Sequence, residues 1–142
     1  MRFTNTVTID RPAAAVFAFL ADFENLPRWN YAIQETRKIS AGPVDVGSRY
    51  RQTRSTPVRS EESFEVTEFE LNRRVTIRGT LASLPAQIAY TLHPQGTSTV
   101  LTNTVDLDPP IRLRLLGPIA APPIRTAVAA NLEVLKQSLD RR

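Results

Sequence analysis

Tyr50, Gln52 and Arg54 alternate along "SRYRQTRS", so in an extended chain they share one face, opposite Arg49, Arg51 and Thr53. Tyr90 in "QIAYTLH" and Asn103 in "VLTNTVDL" fall on the faces that their apolar neighbours bury. A phenol, an amide or a guanidinium facing a core is a hydrogen-bonding group, and leaving one unpaired costs roughly 1–3 kcal/mol. Such groups bond to one another, to trapped water, or to the oxygen functions of a bound molecule. The residue pattern leaves those alternatives open.

Other chemistries are excluded more firmly. His93 is the only histidine, so a His-based metal cluster is ruled out and a Ser-His-Asp triad would have to run through it. Its parity puts it on the wet face beside Pro94, which reads as a surface turn histidine. The chain has no cysteine, hence no disulfide framework, thiolate metal site or Cys nucleophile. No Asp/Glu spacing matches a calcium loop or a facial triad. Gly42, Gly47, Gly79, Gly96 and Gly117 are too scattered to cradle a phosphate. Neither a metal nor a cofactor is expected.

Net charge is +4, from 18 basic and 14 acidic side chains. Arg49, Arg51, Arg54, Arg59, Arg73, Arg74 and Arg78 are interleaved with Glu61, Glu62, Glu65 and Glu68. That mixture reads as solvated strand faces; a nucleic-acid surface concentrates bases without an acidic counterweight. The 142 residues, 42% of them hydrophobic, are enough for one domain (1–142) with its own core. No stretch approaches the ~20 apolar residues of a membrane span. "MRFTNTVTID" has no signal-like apolar run, so a cytoplasmic protein without stable membrane insertion is the expectation.

The elements that must position these residues follow from periodicity. Residues 3–9 alternate as a strand, with Phe3, Val7 and Ile9 on one face. Asp10 and Pro12 signal a helix over roughly 12–21, and Asn25 is a cap for a second short helix. Strand patterns then follow at 33–40, 48–55, 59–71, 74–82, 87–93 and 99–107. In 59–71 the apolar parity changes from Phe64 and Val66 to Phe69 and Leu71, which predicts a bulge near Thr67-Glu68. Ile124, Val128, Leu132, Leu135 and Leu139 recur at helical spacing and predict an amphipathic helix over about 123–140. Such a helix is roughly 25 Å long. It cannot fill the concave face of a curved seven-stranded sheet, so a cavity is expected there.

Several segments then carry a resemblance across essentially the whole chain: "VFAFLADFENLPRWN", "GPVDVGSRYR", "FEVTEFELNRRVTIRG", "HPQGTSTVLTNTVDL" and "NLEVLKQSL". Together they resemble the START-like superfamily in its polyketide cyclase/dehydrase and lipid-transport branch. The resemblance implies an α+β helix-grip fold, as in the major birch pollen allergen. In that fold a curved seven-stranded antiparallel sheet grips a long C-terminal helix, with two short helices after strand 1. The Trp-bearing turn (Asp22, Glu24, Pro27, Trp29) would pack at their junction, with Trp29 either in the core or on the cavity wall, and with Asp22, Glu24 and Asn25 as turn formers.

The leading expectation is a protein that binds or carries a small, largely apolar ligand of lipid, polyketide or isoprenoid type. Its expected site residues are Trp29, Tyr50, Gln52, Phe64, Ile77, Tyr90, Asn103, Val128 and Leu132. The alternative the resemblance implies is a cofactor-independent cyclase or dehydratase, with Arg54 holding an enolate oxygen and Tyr90 donating a proton. A third reading is an interaction module of co-chaperone or toxin-like type. The proline-broken segment 109–123 then reads as a packed connection, as an apolar lip carrying Leu113, Leu115, Leu116 and Ile119, or as a homodimer contact.

Overall fold

A computed structural model describes residues 1–81, 83–108 and 121–141. Strand β1 (Arg2–Ile9) leads into α1 (Ala13–Leu20), a single 3-10 turn (Phe23–Asn25) and α2 (Leu26–Trp29). Six strands follow: β2 (Ile33–Lys38), β3 (Arg49–Arg54), β4 (Ser60–Glu70), β5 (Arg74–Leu81), β6 (Leu84–Gln95) and β7 (Ser98–Leu107). Helix α3 (Ala121–Asp140) closes the chain.

The sheet is seven-stranded and antiparallel, in the order β1-β7-β6-β5-β4-β3-β2. From β2 to β7 each strand pairs with the next in sequence, and β1 adds to the far edge beside β7. The expected bulge is present, since the β4–β5 register shifts between Val66 and Glu68. It does not carry Leu71 inward as the parity suggested. Leu71 is 69% exposed because β4 stops at Glu70 and the chain turns through Asn72, whose φ is 62°.

One expected helix cap is corrected. Asn25 occupies the position before α2 but has helical dihedrals, so its side chain cannot reach the first free amides of that helix. It donates instead to the Phe19 carbonyl at 3.2 Å, tying α2 back to α1. Asp10 precedes α1, as the helix-start signal at Asp10 and Pro12 implied. Its carboxylate accepts from Ser98 Oγ at 3.1 Å, and its backbone N–H donates to Asp140 Oδ1 at 2.8 Å. The start of α1 is thereby tied to β7 and to the end of α3.

The core divides into two clusters. The larger holds Val16, Leu20, Leu101, Leu132, Leu135 and Leu139, joining α1, the sheet and the C-terminal half of α3. A smaller cluster of Phe3, Ala86, Val105 and Leu107 sits below the N-terminal half of α3, where Ile124 and Val128 pack only partly buried. Fully burying one Leu contributes about 1.5–3 kcal/mol, so the C-terminal half of the helix is the anchored one.

Candidate functional site: a buried ion pair beside two cavities

Strand alternation turns Tyr50, Gln52 and Arg54 of β3 inward, and all three are buried. In the β3–β4 register Gln52 faces Glu62, which puts that carboxylate on the same inner face. Glu62 Oε1 accepts from Gln52 Nε2 at 2.8 Å, and Glu62 Oε2 accepts from Arg54 Nε at 2.9 Å. Arg54 and Glu62 are only 5% and 4% exposed. Parity already turned Arg54 inward, and the reading of the interleaved Arg and Glu residues as solvated strand faces is wrong at Glu62. Glu62 has the same parity as Phe64 and Val66, and that signal could have found it. A desolvated ion pair needs good geometry and further hydrogen bonds to offset its cost, and Gln52 supplies one of them.

Two cavities share Arg54 of this pair. The deeper, about 50 Å³, lies between Gln52, Arg54, Phe64, Ile77, Gly79 and Tyr90. The outer, about 290 Å³, opens under the start of α3 and is lined by Tyr31, Pro57, Ile124, Ala127 and Val128 among others. Asn30, Arg54 and Leu81 border both cavities. Gly79 belongs to the deep wall for a steric reason: a Cβ there would lie 2.2 Å from the Ser63 carbonyl oxygen. Two deeply buried polar atoms of these lining residues lack partners, Arg54 Nη2 and Gln52 Oε1.

Of the residues expected to contact a ligand, Gln52, Phe64, Ile77 and Tyr90 line the deep cavity and Val128 the outer one. Arg54 and Tyr90, named for possible chemistry, share the deep wall. Trp29, Tyr50, Asn103 and Leu132 line neither cavity. Trp29 stands behind the wall, edge-on to Tyr90 with ring centres 6.4 Å apart. Tyr50 stacks on Phe64 at 4.9 Å and meets Phe23 edge-on at 5.4 Å. Asn103 pairs across the sheet with Asn5 and Tyr90, and Leu132 is part of the larger core. Strand parity and helical spacing identified the inward faces, and the resemblance suggested Trp29. None of these signals could say how far along the strand or helix the space begins. The lining residues they missed, such as Leu26, Ile33, Ala86 and Ile88, carry no chemical signal of their own.

Burial pushes the Tyr50 phenol up to about 12, with Asp22 and Glu24 adding to the shift, and burial alone raises Tyr90 well above its ordinary value. Both phenols are therefore neutral hydrogen-bonding groups at neutral pH. His93 is exposed near the end of β6. Among the described residues, no three His, Cys, Asp or Glu side chains gather to hold a metal. No helix among them is long and apolar enough to cross a membrane. A wider groove of about 440 Å³, bordered by Glu35, Arg37, Arg51 and Glu61, is open and charged, and suits water better than an apolar guest. The expected lip residues Leu113, Leu115, Leu116 and Ile119 lie outside the described residues.

The sequence matches the family model described as polyketide cyclase / dehydrase and lipid transport over residues 1–140. No curated protein matches it. Among solved structures, a protein from Thermus thermophilus is similar with a TM-score of 0.79 and 15% identity, covering 98% of this chain and 97% of that one. A START superfamily protein from Mycobacterium smegmatis gives 0.74 and 19%, covering 99% and 95%. The Zhui aromatase/cyclase from Streptomyces sp. R1128 gives 0.77 and 12%, covering 100% and 94%. At these identities the likeness shows the helix-grip fold and nothing finer.

Proposed function

The chain belongs to the polyketide cyclase/dehydrase and lipid transport family, and on that premise we propose that it binds or carries a small, largely apolar molecule between its sheet and α3. The observation that carries this reading is Arg54. The residue borders both cavities, is almost wholly buried, and its guanidinium keeps one nitrogen without a partner. A native fold rarely leaves such a donor unpaired, and a ligand oxygen would supply the missing acceptor. The apolar walls of the outer cavity, Ile124, Ala127 and Val128, would receive the rest of the molecule.

Native mass spectrometry of freshly purified protein, compared with the denatured chain, tests this. A mass lost on denaturation, or uptake from a mixed lipid and polyketide extract, is the expected result. A clean apo mass with no uptake overturns the reading. Trp29, the only tryptophan, backs onto Tyr90 of the cavity wall, so its emission should change as ligand enters.

A second reading, cyclase or dehydratase chemistry, draws support from Arg54 and Tyr90 sharing one cavity. Glu62 already offsets the Arg54 charge, which weakens that guanidinium as a partner for an enolate. For this reason binding without chemistry is preferred. The double variant Arg54→Ala with Tyr90→Phe separates the two: any turnover found in the wild type and kept in that variant removes these residues from the chemistry.

A further inference from the structure

We propose that the deep cavity selects a ligand whose polar end is a neutral hydroxyl, and discriminates against a carboxylate. This deepens the ligand-binding reading above and rests on it.

The argument is one of donors, acceptors and charge. Glu62 is bound by Gln52 Nε2 and Arg54 Nε, at 2.8 and 2.9 Å. That contact fixes the Gln52 amide, because the reverse orientation would set its oxygen against a carboxylate oxygen. Among the buried atoms of the lining residues, the donor Arg54 Nη2 and the acceptor Gln52 Oε1 are left without partners, and the neutral Tyr90 phenol stands on the same wall. A hydroxyl satisfies both, accepting from the guanidinium and donating to the amide oxygen. A carboxylate could only accept. It would face Gln52 Oε1 with an oxygen that carries no proton, and it would bring a second anion to a buried cation that Glu62 already neutralises. An ether or ketone is intermediate, since it meets the donor and leaves Gln52 Oε1 bare. The apolar mouth at Ile124, Ala127 and Val128 asks for a hydrocarbon body behind this group.

The experiment compares three probes with one decyl chain, namely decanol, decyl methyl ether and decanoate. Each is titrated into the wild-type protein at neutral pH by calorimetry, with Trp29 emission as a second signal. Decanol should bind tightest, by about tenfold over the ether and at least about tenfold over decanoate. Decanoate binding as tightly as decanol overturns the inference while leaving the ligand-binding reading standing. An ether equal to the alcohol also overturns it, since Gln52 Oε1 then takes no part. If none of the three binds, the inference falls, and uptake from the mixed extract decides the ligand-binding reading separately. Glu62→Gln sharpens the test: with Arg54 no longer neutralised, the alcohol-to-acid ratio should drop by about tenfold or more in decanoate's favour. An unchanged ratio in a folded Glu62→Gln protein counts against the inference. Should that variant fail to fold, the wild-type series still decides.

Discussion

The two halves of α3 meet the same sheet in opposite ways. In the C-terminal half, Leu132, Leu135 and Leu139 are 2%, 0% and 2% exposed and lock into α1 and β7 through Val16, Leu20 and Leu101. In the N-terminal half, Ile124, Ala127 and Val128 are only partly buried, above a space of about 290 Å³. One end holds the fold together and the other leaves room for a guest. The difference comes from side-chain volume. Leucines recur along the closed end, whereas the open end meets Ala127 on the helix with Gly79 and Ala86 on the sheet. A helix-grip fold thus makes a cavity by withholding bulk at one end of one helix.

The comparison is best attacked first at the buried pair on the border. Glu62→Ala should cost about 3–5 kcal/mol in chemical denaturation, because it strands the Arg54 charge. The pair Arg54→Met with Glu62→Leu should recover most of that loss, since it removes both charges. If Glu62→Ala proves neutral, the pair is not desolvated and the open end is wetter than described. At the closed end, Leu135→Ala should cost about 2–5 kcal/mol, against less than about 1 for Val128→Ala over the outer cavity. Equal losses would erase the distinction between the halves.

Gly79→Ala is expected to cost about 1–3 kcal/mol, through the clash of its Cβ with the Ser63 carbonyl and the Phe64 Cβ at 2.2 and 2.7 Å. Ala127→Leu should change stability by no more than about 0.5 kcal/mol. It should nevertheless abolish ligand uptake by filling the mouth, a split that only an open cavity would show. The smallest effect is in alkali. The folded protein keeps the Tyr50 proton that the unfolded chain gives up, so stability should be flat below the phenol's ordinary value of 10.0 and fall as pH rises toward about 12. Melting temperatures across that window should fall less steeply for Tyr50→Phe than for the wild type.

Much of this was legible from residue order. Alternation placed seven strands and turned Tyr50, Gln52 and Arg54 inward together. The break in parity after Val66 located the bulge, and spacing of three and four located the long helix. The resemblance carried by segments such as "VFAFLADFENLPRWN" pointed to the family that residues 1–140 match. Such features are local: a period of two or 3.6 is written in neighbouring residues and survives whatever the rest of the chain does.

The pairing of Glu62 with Gln52 and Arg54 depends on β3–β4 register, and the fate of Asn25 and Asp10 on where α1, β7 and α3 come to rest. Neither is local. Parity assigned Tyr50 and Asn103 the same inward face as Gln52 and Tyr90, and helical spacing turned Leu132 toward the sheet, yet only packing in three dimensions separates a filled stretch of the interior from an empty one. Volume is the reason. A cavity is the space that no side chain reaches, and that depends on every neighbour at once. Sequence alone determined the strands, the helices and the inward Tyr50, Gln52 and Arg54, while tertiary structure decided that Glu62 joins them and which of these groups stand beside empty space.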